Sequence, residues 1–143
     1  MKRLPVFIYF LFCSLILLAC SSATPVTTQS SVTSGMLEFQ IVKPDGSKFD
    51  ITLEALKKLP LANITVEGKV QEGPKLMDVL QLAGVTDFKE VSLTGSASPV
   101  TLTRAQVDDN TILDFNNHGT LKLATTYMPM ADWTKDISEI TVK

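Results

Sequence analysis

Soft metal ligands are concentrated near the C-terminal end of the sequence. Met128 and Met130 stand one residue apart, and Trp133 follows three residues after Met130. His118, the single histidine, precedes them. Thioether sulfur and imidazole nitrogen suit Cu(I), and an indole face can lie against a cation. One hypothesis is therefore a Cu(I) site formed by Met128, Met130 and His118. The alternative is that Met128 and Trp133 fill a core or form an apolar patch under a proline loop, while His118 is a solvated turn residue.

A second group of side chains could contact a small ligand or a protein partner. Arg104 is the only arginine beyond Arg3, and its guanidinium suits bidentate recognition of an anion. Aromatic and polar loops are common binding surfaces, and three such loops are predicted at residues 96–99, 116–119 and 127–133. The tentative ligand-binding residues are His118, Tyr127, Trp133 and Arg104.

No pattern in the sequence predicts a catalytic residue. A Gly-x-Ser-x-Gly elbow is absent, and the glycines do not form a phosphate-binding repeat. Asp108, Asp109 and Asp114 lack the alternating spacing of a calcium loop. We interpret these aspartates as a helix stop and solvated strand ends.

The N-terminus predicts export and lipid attachment. Lys2 and Arg3 precede an uncharged apolar run that ends at Ala19, which is the pattern of a signal peptide over residues 1–19. The last residues of the run and Cys20 look like a bacterial lipobox, in which the cysteine carries the lipid. Residues 20–35 are then the lipidated cysteine and a Ser/Thr-rich tether. We expect a cell-envelope protein held on a bacterial membrane by its lipid. Ser21, in place of an aspartate, favours the outer membrane or cell surface.

Composition narrows the class of protein further. The 143 residues are 45% hydrophobic and carry 13 basic against 15 acidic residues, which is typical of one globular domain and gives no basic surplus for nucleic acid. The two cysteines are Cys13, inside the signal peptide, and Cys20. The domain at residues 36–143 therefore contains no thiol for a disulfide, a nucleophile or a metal.

Short elements with clear turn signals follow the tether. Alternating apolar residues on both sides of Pro44-Asp45-Gly46 predict a hairpin, and Thr52 can cap a short helix. A strand with a bend at Gly68 should follow, and then a helix with Pro74 in its first turn and Gly84 as its cap.

The second half of the domain is also predicted to consist of short strands and turns. It is predicted to contain strands near residues 88–94 and 100–102, a capped turn from Thr103 to Gln106, a hairpin around residues 116–119 and a last strand at 137–142. Long crossover helices are absent from this pattern. We predict an α+β domain: a small mixed sheet or a partly closed barrel with two to three short helices.

This order of segments resembles a known family. The segments ITLEALKKLP, TVEGKVQEGPKLMDVLQLAGV, VSLTG, LTRAQ, ILDFNNHGTLKLA and ISEITVK are similar to a reduced molybdopterin-binding domain of the sulfite oxidase-like oxidoreductases. The resemblance runs from about Ile51 to Val142 and implies that fold, with molybdopterin as the cofactor. In that family a cysteine thiolate ligates molybdenum, whereas this sequence has no cysteine after Cys20.

The missing cysteine determines which function we expect. A shared fold does not establish a shared reaction, and no catalytic residue of the family can be assigned to a position in this sequence. We therefore expect a membrane-anchored, non-catalytic binding or assembly module. The alternatives are a cofactor-binding subunit of a molybdenum oxidoreductase and the Cu(I) protein described above.

Overall fold

The computed structural model describes residues 36–97 and 99–143. The predicted signal peptide, Cys20 and the tether lie outside the described residues, as does Ser98 of the loop at residues 96–99. Within the described part of the chain, no helix is long and apolar enough to cross a membrane.

The described residues form nine strands and two short α-helices. The strands are β1 (Leu37–Val42), β2 (Lys48–Thr52), β3 (Leu61–Val66), β4 (Lys69–Pro74), β5 (Glu90–Thr94), β6 (Val100–Thr103), β7 (Thr111–Phe115), β8 (Leu121–Thr125) and β9 (Glu139–Val142). The helices are α1 (Leu53–Leu56) and α2 (Leu76–Leu82), with 3-10 helices at Arg104–Gln106 and Met130–Asp132.

Five strands form one mixed sheet in the order β2-β1-β9-β5-β6. β1 and β9 pair in parallel, and the other neighbours are antiparallel. The β3–β4 and β7–β8 hairpins form two further small sheets. The α+β class and the mixed sheet agree with the sequence, and the strands of the described ranges do not close a barrel.

Local signals placed the first elements correctly. β1 and β2 form the predicted hairpin, with Gly46 at a φ of 80° in its turn. The Thr52 hydroxyl accepts a 3.3 Å hydrogen bond from the Ala55 N–H and so caps α1. Gly84 adopts the left-handed conformation, with a φ of 75°, directly after α2.

Two predictions in the next segment were wrong. The single strand with a bend at Gly68 is a complete hairpin, because Glu67 joins Gly68 in the left-handed region and the pair makes a two-residue turn. Pro74 belongs to β4, where it pairs with Leu61, so α2 begins only at Leu76.

The β7–β8 hairpin separates two apolar clusters. Leu113 and Leu123 pack into the main core, which also includes α1, α2 and the inner face of the five-stranded sheet. Ile112 and Ala124 belong to a second cluster, together with Ile64 of β3 and Trp133. Opposite faces of one hairpin therefore support two parts of the fold.

The β3–β4 hairpin lies very close to β7. A Cβ atom on Gly73 would lie 1.9 Å from the Leu113 carbonyl oxygen, far inside van der Waals contact. Lys75, just beyond β4, forms an isolated antiparallel bridge with Ile112. Only glycine at position 73 allows the two backbones to approach in this way.

Candidate functional site

An open groove of about 600 Å³ lies where the start of α2 meets the segment after β6. It is lined by groups of both charges, and we call it the α2 groove. Its polar lining residues are Lys75, Asp78, Arg104, Asp108, Asp109 and Asn110. The groove can therefore offer cations, carboxylates and an amide to one ligand.

Arg104 is held in place at one side of the groove. Its guanidinium carbon lies 5.2 Å from the centre of the Phe88 ring, and Nη1 donates a 3.3 Å hydrogen bond to the Val107 carbonyl. The local turn is fixed by Gln106, whose Oε1 accepts hydrogen bonds from the Thr103 N–H and hydroxyl at 2.9 and 3.1 Å. Stacking on an aromatic face leaves further guanidinium donors for an anion.

Asp108 links Tyr127 to the same groove. The Tyr127 hydroxyl donates a 2.6 Å hydrogen bond to Asp108 Oδ2, while the Asn110 N–H donates to Oδ1 at 2.8 Å. Desolvation raises the pKa of Asp108, but hydrogen bonds from Tyr127 and Asn110 together outweigh it, and the pKa lies below its ordinary value. The hydrogen bond to Asp108, with some desolvation, raises the pKa of Tyr127. Asp108 therefore stays a carboxylate and Tyr127 stays a hydroxyl donor at neutral pH.

Lys75 and Asp109 form an ion pair at the rim, with 2.6 Å between Nζ and Oδ1. The hydrogen bond that Lys75 donates to Asp109, and then the charge of Asp109, raise the pKa of Lys75. Both groups are solvated, and the Asp109 side chain is 84% exposed. An exposed pair of this kind separates readily, so both charges are available to a ligand.

A second polar centre surrounds Asp136, away from the α2 groove. The carboxylate accepts hydrogen bonds from the Ser96 hydroxyl, the Thr120 hydroxyl and, at 3.2 Å, the Asn116 amide. Those from Ser96 and Thr120 contribute most to lowering its pKa, and the nearby charge of His118 contributes least. Two of the three predicted binding loops thus meet at one carboxylate. We call this arrangement the Asp136 centre.

The sequence-predicted residues are distributed over different surroundings. Arg104 and, through Asp108, Tyr127 belong to the α2 groove. His118 is exposed in the β7–β8 turn, where its N–H donates to Asn116 Oδ1 at 2.9 Å. Met128 and Met130 are half-buried against the second apolar cluster. Asn116, the hydrogen-bond partner of His118, does not belong to the apolar cluster against which the two methionines pack.

Trp133 lies inside the second cluster rather than on the surface. It is 2% exposed, and its indole Nε1 has no hydrogen-bond partner among the described residues. The Met130 N–H bonds Glu67 Oε1 at 3.3 Å, which joins the loop at residues 127–133 to the β3–β4 turn. The placement agrees with the core-filling alternative for Met128 and Trp133.

Sequence reasoning missed Lys75, Asp108 and Asp109 as residues of the α2 groove, and it missed the Asp136 centre. Lys75 was not singled out, and Asp108 and Asp109 were interpreted as a helix stop and solvated strand ends. Asp136 carried no signal, since its partners lie 16 to 40 residues away along the chain. Only the pairing of distant segments brings these groups together.

The donor set does not fit a molybdenum centre of the kind that the resemblance implies. Cys13 and Cys20 are the only cysteines in the sequence, and both precede the described residues. From residue 36 onward, leaving aside Ser98, no group of three or more His, Cys, Asp or Glu side chains could hold a metal ion. The described residues therefore do not supply the protein ligands of such a centre.

Comparison with known proteins gives a likeness of fold. Neither a family model nor a curated protein matches the sequence. The structure is similar to the sulfane dehydrogenase SoxCD from Paracoccus pantotrophus, with a TM-score of 0.55 and 17% sequence identity. The match covers 78% of this chain and 39% of that chain, so this domain corresponds to less than half of it. At this identity the likeness concerns the fold alone, and it supports a distant sulfite-oxidase-like fold.

Proposed function

We propose that this chain is a bacterial lipoprotein, attached to the membrane at Cys20, whose domain is a non-catalytic binding or assembly module. The observation that carries the binding role is the α2 groove, in which Lys75 from the start of α2 meets Arg104 and Asp108 from the segment after β6. Fixed side chains of both charges on an open surface suit recognition of a polar ligand or a protein segment. We place the protein in the outer membrane or on the cell surface.

Two observations support the non-catalytic part of the proposal. The sulfite-oxidase-like scaffold is supported by the SoxCD likeness, while the sequence supplies no thiolate after Cys20. Since a fold does not by itself determine an activity, such a scaffold is free to serve in binding.

Site-specific photocrosslinking on native membranes tests the binding role. A photoreactive residue replaces Asp109, which projects from the groove, and in a matched variant it replaces Asp50, an exposed residue of β2. We expect a discrete adduct from position 109, weakened by Arg104→Ala, and none from position 50. Equal adducts from both positions, or none from position 109, would contradict the proposal.

Lipid attachment is tested by intact mass and fractionation. The mature chain should begin at Cys20 and carry the mass of acyl chains, and it should sediment with membranes. Cys20→Ser should abolish the added mass and release the protein. Release without any loss of acyl mass would contradict attachment at this residue.

The second candidate is a cofactor-binding subunit of a molybdenum oxidoreductase, favoured by the likeness to a sulfane dehydrogenase. Native mass spectrometry and elemental analysis of the full mature chain, purified from membranes without chelators, separate the two functions. A bare lipoprotein mass agrees with the binding module. Stoichiometric molybdenum or a pterin mass would replace it with the oxidoreductase subunit.

A Cu(I) role is favoured by one observation, the packing of Met128 and Met130 against the same cluster. Titration with a competing Cu(I) chelator tests it on the wild type and on the Met128→Ala, Met130→Ala double variant. Equal Cu(I) affinity in the two proteins would remove this role, and His118→Ala shows whether the histidine takes part.

A further inference from the structure

The outer edge of β3 differs from the other strand edges of the molecule. β3 pairs with β4 on one side only, and on its other side no backbone hydrogen bond joins it to any described residue. The strand is six residues long, with the uncharged sequence LANITV. Such an edge presents a row of unpaired N–H and C=O groups to any extended chain that approaches.

The two edges of the five-stranded sheet are protected in the usual ways. β2 carries Lys48 and Asp50 on its exposed positions. β6 is only four residues long and lies between Pro99 and Arg104. Charge, proline and short length all discourage pairing with another chain. β3 is six residues long and contains no charge and no proline, although Pro60 directly precedes it.

The outer edge of β8 is covered in a different way. The Leu123 N–H bonds the Thr134 carbonyl at 2.9 Å, and the Ile137 N–H bonds the Leu121 carbonyl at 2.9 Å. The segment between Thr134 and Ile137 therefore occupies that edge. Among the long edges of the described chain, β3 is the one left open and uncharged.

Two of the five exposed large hydrophobic side chains among the described residues lie on the same hairpin. Leu61 is 52% exposed and Val70 is 67% exposed, and both belong to β3 or β4. Thr65 pairs with Val70 across the ladder, so the two side chains share the outer face. A new strand beside β3 would cover part of this face as well as the backbone groups.

The charges at the two ends of β3 favour a second copy of the same strand. Exposed Lys57 and Lys58 precede β3, and exposed Glu67 follows it. Antiparallel pairing of two copies places the lysine end of one strand beside the glutamate end of the other. The neutral strands between them bring no like charges together. Lys69 lies on β4, the inner strand of the hairpin.

We propose that the outer edge of β3 is a self-association surface, through which two copies of this chain pair β3 to β3 in antiparallel fashion. The two hairpins then form a continuous four-stranded sheet, β4-β3-β3-β4, across a two-fold axis. This interface is separate from the α2 groove and stands whether or not the groove binds a ligand.

Disulfide trapping on the full mature chain in lipid bilayers tests the proposal. Asn63→Cys places a thiol at the middle of β3, and Thr101→Cys places one on β6 as a matched control, since Asn63 and Thr101 are both exposed strand positions. A mild oxidant should convert the Asn63→Cys protein to a covalent homodimer and leave the Thr101→Cys protein monomeric. Equal dimer yields, or no dimer at position 63, would overturn the proposal.

A charged substitution on the outer edge of β3 provides the second measurement. Thr65→Lys, added to the Asn63→Cys protein, should lower the dimer yield by roughly fivefold, because the antiparallel register that places the two Asn63 positions opposite each other sets each new lysine beside the apolar Leu61 of the other copy. Thr101→Lys should leave the yield unchanged. Both lysine variants should keep the wild-type circular dichroism and Tm, since neither side chain is buried. An adduct at position 63 with a different protein in native membranes would also overturn the second copy as occupant.

Discussion

Asp108 and Asp136 each accept hydrogen bonds from several donors, yet they act over very different lengths of chain. Two of the groups that bond Asp108 belong to Asn110, two residues away, and the Tyr127 hydroxyl approaches from one further loop. Asp136 bonds Ser96, Asn116 and Thr120. The first carboxylate orders a local turn at the α2 groove. The second joins the loop after β5 to the β7–β8 turn, so its loss should affect the whole domain.

Gly95→Ala should produce the largest effect, at the Asp136 centre. A Cβ atom at Gly95 would lie 2.1 Å from the Lys135 carbonyl oxygen and 2.7 Å from that of Asp136. Backbone must move to relieve this clash, and we expect a loss of about 3 kcal/mol in the free energy of unfolding. Thermal denaturation should show Tm falling by about 10 °C or more.

Gly119→Ala is the matched control for that substitution. Gly119 has a φ of 79° and open space around its Cβ position, so alanine there meets backbone strain without a clash. We expect a smaller loss of about 1 kcal/mol. Equal Tm values for the two variants would contradict the close approach at Gly95.

Asp136→Ala should have the next largest effect. Removing the carboxylate leaves Ser96, Asn116 and Thr120 without their common acceptor, and Tm should fall by several degrees. Asp108→Ala should lower Tm less, because the turn at Asp108 is local. A larger fall for Asp108→Ala, measured by calorimetry in the same buffer, would reverse the comparison.

The pH dependence sharpens the same contrast. The pKa of Asp136 is lowered in the folded protein from an ordinary 3.8, so its stabilising contribution is present above that value and is lost as the pH falls through the lowered pKa. We expect the Tm difference between wild type and Asp136→Ala to be constant from pH 5 to 7 and to shrink below about pH 3.8. A difference that grows on acidification would exclude this role.

Tyr127→Phe should have the smallest effect on stability. The hydroxyl and Asp108 are both solvent-accessible, so Tm should change by no more than about 2 °C. Loss of the phenolic donor should raise the pKa of Asp108, which is measured by NMR titration of its carboxyl carbon. An unchanged pKa would show that the 2.6 Å hydrogen bond does not form in solution.

Local sequence signals predicted the elements well and their partners less well. The Pro44-Asp45-Gly46 turn, the Thr52 cap and the Gly84 cap act within a few residues, and the structure shows all three. The parallel pairing of β1 with β9 could not be derived, because nothing in either strand specifies a partner about a hundred residues away. The second half of the β3–β4 hairpin was missed because Glu67 is an unusual residue in a left-handed turn.

The sequence predicted some of the residues of the candidate site, but it did not predict how they are arranged. Arg104 and Tyr127 stood out by residue type, and the structure brings both to Asp108 or to the groove beside it. Trp133 stood out for the same reason, but its large apolar ring is buried in the second cluster. Composition indicates which side chains are unusual, whereas tertiary packing determines which of them solvent can reach.

The position of β9 has a consequence for how the chain acquires its structure during synthesis. β9 lies between β1 and β5, so β1 has only β2 to pair with until β9 has been synthesised. Contacts between segments so distant along the chain are slow to form. The growing polypeptide should therefore stay open to proteases and chaperones until then, and the five-stranded sheet should be completed only in a final step.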